Sequence, residues 1–358
     1  MKIGIIGAGQ LGQMLGIAAR GLGAECRFVD PSDSPPAADC GEVIQRPFDD
    51  AAALAELAAT CDVITYEFEN VPVEALHKIE GKVPVFPPAD ALRHSQDRLA
   101  EKRLFDLLDI PLAGYRTIDS REDIDTAIDD LGTPLVIKTR RLGYDGKGQF
   151  VVRNRSDADA AWQALGANAL IAEQWVNFDY EVSSIGSRNV DGEIVIYPLS
   201  RNVHQDGILR TSRSPVDAPE LAERGEIYVR RLLGHLDYVG TLALELFVCG
   251  QDLLANEFAP RVHNSGHWSI EGAATSQFEN HIRAITNQPL GSTEILGHAG
   301  MVNLIGEIPD SVRSLQTGVL HDYGKEPRPG RKLGHITVTA DSAAERDALI
   351  DIITRNVN

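Results

Sequence analysis

The richest concentration of chemically useful side chains lies in residues 256–267, with the sequence NEFAPRVHNSGH. This run holds a carboxylate, an arginine, two histidines and three further polar side chains. A structural strand of this length would be mostly apolar, so we interpret the run as a strand edge that lines a site. Glu257 has a companion in Glu245, the one charged residue of the preceding apolar stretch 241–248. A lone buried glutamate is costly, whereas two facing carboxylates beside arginine and histidine suit a magnesium ion that carries a polyphosphate.

Whether these two acids face each other depends on the hairpin that joins their strands. An odd number of loop residues, such as 250–252, or a β-bulge would place Glu245 and Glu257 opposite each other on one face. A regular two-residue turn would place them on opposite faces. The metal hypothesis therefore predicts a three-residue turn or a bulge, and the alternative is a glutamate paired with an arginine. The all-oxygen ligands favour Mg²⁺ over Zn²⁺.

A second candidate is Lys138 with the glycine-rich loop 143–149, GYDGKGQ. Three glycines in seven residues, flanked by Lys138 and Lys147, are typical of a flap that closes over polyphosphate and excludes water. The alternative is a flexible hairpin tip with solvated lysines. The spacing is not that of a Walker loop.

A third candidate is the turn with Gly7, Gly9 and Gly12 between the first strand and the first helix, followed by Asp30 at the end of the second strand. This pattern fits a dinucleotide cofactor, a turn that only permits close packing, or a phosphate site for a substrate that is not a redox cofactor. The sequence leaves these three open.

Three weaker signals complete the set. Residues 173–176, EQWV, could offer backbone groups and an apolar wall to an adenine, with Glu181 near a ribose. Arg261, His263 and Asn264 could hold a small oxyanion, whereas His267 is expected to cap a loop. The basic cluster suits a phosphate, with a solvated turn as the alternative; it comprises Lys325, Arg328, Arg331 and Lys332.

The composition limits the class of protein that can carry these residues. The 358 residues include 43 % hydrophobic residues, and the formal net charge of −18 argues against a nucleic-acid partner. No apolar stretch approaches the length of about 18 residues needed to cross a membrane, and the first residues look like a strand rather than a signal peptide. Four scattered cysteines suit a reducing cytoplasm.

The elements that position these residues fall into three predicted parts. Strands and helices alternate over residues 1–95, which predicts a Rossmann-like parallel sheet that includes a strand at 83–86. Residues 96–180 are predicted to form a charged linker helix and a small α+β lid. Residues 181–358 are mostly strands and predict a larger antiparallel domain, with a small subdomain from about residue 300. The fold class is thus α/β and α+β.

The order of these motifs resembles that of the ATP-grasp ligases. More closely, residues 9–12, the flap, residues 256–267 and residues 323–335 are similar to those of 5-(carboxyamino)imidazole ribonucleotide synthases, the ATP-dependent carboxylases of bacterial purine synthesis. The resemblance spans nearly the whole chain. Many relatives carry arginine where Lys147 stands. Arginine can bind a phosphate through two hydrogen bonds, whereas the lysine of this chain would bind it as a point charge.

The resemblance implies that ATP phosphorylates bicarbonate to carboxyphosphate, which then carboxylates the amine of 5-aminoimidazole ribonucleotide. It implies ATP contacts from Arg98, Lys138, Gly143, Tyr144, Asp145, Gly146, Lys147, Gly148, Gln149, Glu173, Gln174, Trp175, Val176, Glu181, His204, Asn256 and Glu257. It implies Mg²⁺ at Glu245 and Glu257, and catalytic roles for Arg261, His263, Asn264 and Lys325. The ribonucleotide would approach Gln10, Leu11, Tyr144, Asp145, Lys147, Lys325 and Arg331, with either Glu67 or Glu69 also in reach. The family further implies a cytoplasmic homodimer.

Three rival hypotheses remain at this level. A nicotinamide enzyme would use the Gly7–Gly12 turn but leaves the flap and the carboxylate pair unexplained. Another ATP-grasp ligase, such as a formate-using transformylase or a biotin carboxylase, would share most of the motifs. A regulator on an inactive scaffold would not need Lys138, Glu245 and Glu257.

Overall fold

The computed structural model describes residues 1–143 and 148–357. Its N-terminal part is a parallel sheet with short helices. The elements are β1 (Lys2–Ile6), α1 (Gln10–Gly21), β2 (Glu25–Val29), β3 (Gly41–Ile44), α2 (Ala51–Thr60), β4 (Val63–Tyr66), α3 (Val73–His77) and α4 (Ala89–Ser95). The strand order is β3-β2-β1-β4, so β1 lies between β2 and β4. The carboxyl ends of β1 and β4 meet at one edge, which is where parallel sheets usually place ligands.

The predicted strand at residues 83–86 is wrong, because Val85 makes only an isolated bridge with Ile64. The Ile64 N–H donates to the carbonyl of Pro84 at 2.9 Å, and the Ile64 carbonyl accepts the Phe86 N–H at 2.8 Å. Prolines 84 and 87 have no N–H to donate, so the ladder cannot extend in either direction. The sequence analysis also missed β3 and α4, which are short and follow proline-rich segments.

The second part is a small antiparallel sheet with a linker helix before it. The elements are α5 (Arg98–Leu107), β5 (Tyr115–Ile118), α6 (Arg121–Leu131), β6 (Leu135–Thr139), β7 (Gln149–Val152), α7 (Ala158–Leu165) and β8 (Leu170–Gln174). The strand order is β5-β8-β6-β7, and α6 and α7 cover the sheet. The side chains of Ser120 and Asp123 form a reciprocal capping box at the start of α6.

The third part is a large, mostly antiparallel sheet with helices packed on it. The elements are β9 (Tyr180–Arg188), β10 (Ile194–Ile196), β11 (Ser200–Gln205), β12 (Ile208–Ser214), α8 (Pro219–His235), β13 (Gly240–Cys249), β14 (Asp252–Ala259), α9 (Ser269–Gly272), α10 (Gln277–Ile285), β15 (His298–Ile305), α11 (Asp310–Arg313), β16 (Val319–Asp322), β17 (Lys332–Ala340) and α12 (Ala343–Val357). The strand order is β14-β13-β9-β11-β12-β15-β17-β16, with β10 beside β9. Helix α8 packs its apolar face on β9 and β13, and α12 covers β15 and β17.

Candidate active site

The hairpin of β13 and β14 brings the two candidate metal ligands together through a bulge. Cys249 pairs with Asp252, so the turn contains only two residues and by itself would put the acids on opposite faces. Glu245 pairs with Glu257, but the next residue, Leu246, pairs with Ala255. The register therefore shifts by one residue, and Asn256 is the extra residue of the bulge. Glu245 and Glu257 therefore stand directly opposite each other on one face. Of the two predicted possibilities, the structure uses the bulge.

The paired acids lie in a cavity of about 550 Å³ that all three parts of the molecule line. Burial, followed by the neighbouring Glu257 charge, raises the pKa of Glu245 to about 7. The cavity brings together most of the predicted residues: Arg98, Lys138, Gly143, Gly148, Gln149, Glu173, Gln174, Trp175, Val176, Glu181, His204, Glu245, Asn256, Glu257, Arg261, His263 and Asn264.

Lys138 projects from β6 and pairs with Glu173 on the neighbouring strand β8, with 2.9 Å between Nζ and Oε2. Lys102 of α5 approaches the same oxygen at 3.5 Å. Burial alone would raise the pKa of Glu173, but Lys102, Lys138 and Arg98 outweigh it and lower the pKa to about 2. Glu173 is therefore ionised and holds Lys138 in place, where its ammonium can meet a phosphate.

Arg98, at the start of α5, lies beside the acid pair. Its Nη1 lies 3.2 Å from Oε2 of Glu257, so α5 reaches from the lid to the large sheet. A nucleotide phosphate between these groups would contact Arg98 and Lys138 and, through a cation, the two glutamates. Mg²⁺ is commonly bound by one or two carboxylates plus phosphates and water, which fits this arrangement. No cluster of three or more His, Cys, Asp or Glu able to hold a metal occurs in the described residues.

The other end of the cavity suits a nucleoside. Phe178 and Phe247 stack with their ring centroids 4.6 Å apart and form an apolar wall beside Trp175 and Val176. Glu181 and His204 contact each other across neighbouring strands. Burial would lower the pKa of His204, but its bond to Glu181 and the charge of Glu245 raise it. The sequence analysis placed both residues near ATP but did not foresee that they pair.

Arg261 is held by Glu69, one of the two acids between which the sequence analysis could not choose. Its Nε donates to Glu69, which follows β4, and its Nη1 donates to the carbonyl of Val262 at 3.0 Å. Burial raises the pKa of Glu69, but Arg261 reverses the shift and lowers it. Glu69, rather than Glu67, is the acid of that pair that lines the cavity.

His263 is oriented by Ser265 and faces Glu245. The Ser265 N–H donates to Nδ1 of His263 at 3.4 Å, which places the proton of the neutral ring on Nε2. That nitrogen lies 3.5 Å from Oε1 of Glu245. Burial, and then the charge of Arg261, lowers the pKa of His263 well below its usual value. The contact therefore joins a neutral imidazole to a carboxyl group and is not an ion pair.

Asn264 is fixed by an amide pair with Asn303 of β15. Each side chain donates to the other, at 3.1 Å from Asn264 and 2.6 Å from Asn303, and Asn303 also donates to the carbonyl of Leu209 at 2.9 Å. This pairing fixes the orientation of the Asn264 amide at the cavity wall. Sequence reasoning missed Asn303 although it is the one polar side chain of the apolar stretch 299–305, the same kind of signal that marked Glu245.

The glycine turn before α1 is filled by a side chain of the protein. Oε1 of Glu67 accepts the Gly9 N–H at 2.5 Å and Oε2 accepts the Gly12 N–H at 2.6 Å. A Cβ at Gly7 or Gly9 would lie within 2.6 Å of Glu67 atoms. The glycines thus make room for Glu67, whose carboxylate occupies the place at the helix start that a phosphate takes in dinucleotide-binding turns. Burial raises the pKa of Glu67 although these two N–H groups oppose the shift.

Of the residues predicted to approach the ribonucleotide, the structure describes Gln10, Leu11, Lys325 and Arg331, and none of these four lines the cavity. Lys325 contacts the side chain of Gln10, and burial lowers the pKa of Lys325 to about 8. Leu11 is buried in the core, so only its backbone is available to a ligand. Arg331 donates to the carbonyl of Glu326 at 3.1 Å. Tyr144, Asp145, Gly146 and Lys147 lie outside the described residues.

His267 is fully buried and packs against Phe278 and His335. The loop cap predicted for it is wrong, because the histidine side chain that accepts a backbone N–H in this segment is His263. The cavity also contains residues that the sequence analysis did not single out as site residues. They include Glu101 and Lys102 of α5, the ring pair Phe178 and Phe247, and Asn70. The helical pattern of α5 made its charged residues look solvent-facing, whereas Lys102 is 1 % exposed.

Comparisons with known proteins agree with this geometry. Residues 103–278 match the ATP-grasp domain, residues 1–96 the ribonucleotide synthetase preATP-grasp domain, and residues 299–348 the phosphoribosylaminoimidazole carboxylase C-terminal domain. The N5-carboxyaminoimidazole ribonucleotide synthase of Pseudomonas aeruginosa is 46 % identical, over 98 % of this chain and 100 % of the relative. The chain belongs to the N5-carboxyaminoimidazole ribonucleotide synthase family. It is therefore an ATP-dependent ligase, and the predicted ATP-grasp fold is confirmed.

Solved structures of this family superpose closely on the chain. The synthetase from Thermus thermophilus has a TM-score of 0.95 and 47 % identity, covering 99 % of this chain and 98 % of that one. The Aspergillus clavatus enzyme, solved with ADP and 5-aminoimidazole ribonucleotide, has a TM-score of 0.91 and 31 % identity, with the same coverage. Among the residues described, no helix is long and apolar enough to cross a membrane.

Proposed function

We propose that this protein carboxylates 5-aminoimidazole ribonucleotide with bicarbonate, using ATP and Mg²⁺ through carboxyphosphate. The products are 5-carboxyaminoimidazole ribonucleotide, ADP and phosphate, as a step of de novo purine synthesis. The observation that carries the proposal is the bulge that turns Glu245 and Glu257 toward the cavity that Lys138 and Arg261 also line. The names of the relatives and the ribonucleotide bound to the Aspergillus enzyme support the choice of substrate.

The residues of the cavity divide into three tasks. Arg98, Lys138 and the flap bind the phosphates, while the Phe178 and Phe247 wall holds the adenine. Glu245 and Glu257 would hold Mg²⁺, which supplies charge neutralisation at the transferred phosphoryl group. Bicarbonate is a weak nucleophile, so the protein contributes mainly alignment and charge.

Bicarbonate and its phosphorylated product would lie against Arg261, His263 and Asn264. Arg261 offers a fixed guanidinium oriented by Glu69, and His263 offers its Nε2 proton. Asn264 offers an amide whose orientation Asn303 sets. Carboxyphosphate is labile in water, which is a reason for a closing flap.

The ribonucleotide would approach from the side of Gln10 and Lys325, with Arg331 nearby. Because Glu67 fills the glycine turn, we place the substrate phosphate on the lysine and arginine side and not on the helix start. The division at residues 95 and 180, the homodimer and the cytoplasmic location stay predictions.

Phosphate release tests the proposal. The purified protein is assayed with ATP, Mg²⁺, bicarbonate and 5-aminoimidazole ribonucleotide, and each component is then omitted in turn. We expect full turnover only with the complete mixture, and formate should not replace bicarbonate. Equal phosphate release without the ribonucleotide, or with formate in place of bicarbonate, would contradict the proposed substrates.

A further inference from the structure

Strand β14 forms one edge of the large sheet, so its outward backbone groups have no neighbouring strand. Helix α5 and the turn after it supply the missing partners. The Ala255 N–H donates to the carbonyl of Pro111 at 2.7 Å. Lys102 Nζ donates to the carbonyl of Asn256 at 2.7 Å, and Glu101 Oε1 accepts the Phe258 N–H at 2.7 Å. Buried backbone groups need such partners, and α5 thus takes the place of a further strand.

The contact from Lys102 is made with Asn256, the residue that forms the bulge. Asn256 is the extra residue of the bulge and has no cross-strand partner in β13. Without the shift at this point, the two-residue turn would leave Glu257 facing away from Glu245. Lys102 therefore bonds the backbone at the position where the two acids come into register.

The same ammonium also reaches the phosphate-binding part of the lid. Lys102 Nζ lies 3.5 Å from Oε2 of Glu173, the atom that holds Lys138 at 2.9 Å. The Lys102 side chain is 2 % exposed, and its Nζ lies 6.0 Å from the centre of the Phe105 ring. One buried charge thus contacts both the bulge of the large sheet and the carboxylate of the small sheet.

We propose that Lys102 is a positioning residue that sets the separation between the Glu245/Glu257 pair and Lys138. This inference rests on the proposed function, because it takes these groups as the metal and phosphate ligands. Lys102 acts through Asn256 and Glu173 and takes no part in the chemistry. A purely structural lysine at this position would affect stability but not the affinity of the folded protein for a metal–nucleotide complex.

The test compares Lys102→Met with its neighbour Arg103→Met, an exposed position on the same helix. Methionine keeps the apolar stem but donates no hydrogen bond. Binding of Mn²⁺, a paramagnetic substitute for Mg²⁺, is titrated by electron paramagnetic resonance with the ADP-saturated protein. We expect the Mn²⁺ dissociation constant to rise at least tenfold in Lys102→Met and to stay within twofold of wild type in Arg103→Met. Lys102→Arg, which keeps the charge and the donors, should recover most of the affinity.

Near-ultraviolet circular dichroism checks that each variant is folded. A folded Lys102→Met variant with wild-type Mn²⁺ affinity would overturn the proposal. If Lys102→Met does not fold, Lys102→Gln replaces it under the same tenfold criterion. Failure of the wild type itself to bind Mn²⁺ with ADP would overturn the proposed function as well, whereas a variant-specific result bears on Lys102 alone.

Discussion

Arg261 is the residue whose environment best explains a bicarbonate site. Its side chain is only 14 % exposed, bonds to Glu69 and lies next to a neutral His263, so it is a fixed positive charge on the cavity wall. The sequence marked Arg261, His263 and Asn264 because they crowd one polar run. It did not reveal Glu69 and Asn303 as their partners, because both come from distant parts of the chain and only the tertiary fold brings them close.

Arg261→Ala should lower turnover far more than nucleotide binding. We expect kcat to fall by about 10²–10³-fold, the usual effect of removing one donor to a developing anion. The ADP dissociation constant should change by less than about threefold. Steady-state kinetics with varied bicarbonate and an ADP titration measure the two effects, with exposed Arg46→Ala as the control. An unchanged response to bicarbonate would remove Arg261 from this role.

Lys325 should make binding of the ribonucleotide depend on pH. Burial lowers the pKa of Lys325 to about 8, so its ammonium is charged at pH 7 and loses its proton as the pH rises through 8. Binding of an anion by this group is therefore strong below pH 8 and weakens above it. We expect the KM for 5-aminoimidazole ribonucleotide to rise about tenfold between pH 8.5 and 9.5.

The Lys325→Arg variant provides the comparison, because arginine stays charged throughout this range. Its KM for the ribonucleotide should be flat over the same pH interval, whatever its absolute value. A wild-type profile that is also flat would show that Lys325 does not hold the substrate anion.

At the scale of elements, the hairpin of β13 and β14 shows where sequence reasoning stops. The apolar stretch 241–248, interrupted only by Glu245, and the polar run 256–267 predicted the two acids of the hairpin. Because side chains alternate along a strand, only a three-residue turn or a bulge could place both acids on one face. In the structure, α5 and the turn after it bond to Ala255, Asn256 and Phe258, on both sides of the bulge and at the bulge itself. A local sequence pattern contains no information on such contacts.

The glycine turn between β1 and α1 holds a side chain of the protein and not a cofactor phosphate. Its glycine spacing fits a dinucleotide site, but Glu67, which directly follows β4, fills the turn. We expect Glu67→Gln to lower the free energy of unfolding by about 1–3 kcal/mol, since one of the two N–H groups then loses its carboxylate acceptor. Urea denaturation measures the change, with exposed Glu74→Gln as the control. Equal stability of the two variants would mean that the contacts contribute little.

At the scale of the whole molecule, the site exists only where three sheets meet. The parallel-sheet part supplies Glu69, the lid supplies Lys138 and Glu173, and the large sheet supplies the acid pair and Arg261. The sequence predicted this three-part architecture because strand and helix patterns change clearly along the chain. It could not give the distances between the parts, which depend on side chains such as Arg98 and Lys102 that cross from one to another.

Ligands that bridge the parts should stabilise the whole fold. A nucleotide at 100 times its dissociation constant adds about 2.7 kcal/mol to the stability of the protein. We expect Mg²⁺ to raise the melting temperature of the ADP-bound wild type further, and to have no such effect on Glu257→Gln. Differential scanning calorimetry of both proteins with ADP, with and without Mg²⁺, measures this. The same Mg²⁺-dependent rise in the melting temperature of Glu257→Gln would show that Glu257 does not bind the metal.

Transfer of oxygen from bicarbonate to phosphate tests the central claim most directly. The complete reaction is started with freshly dissolved bicarbonate labelled with ¹⁸O and stopped before the label exchanges with water, and the released phosphate is analysed by mass spectrometry. If the cavity aligns bicarbonate for attack on the terminal phosphoryl group of ATP, each phosphate formed carries one labelled oxygen. Phosphate without label would show that water attacks ATP and would contradict the account.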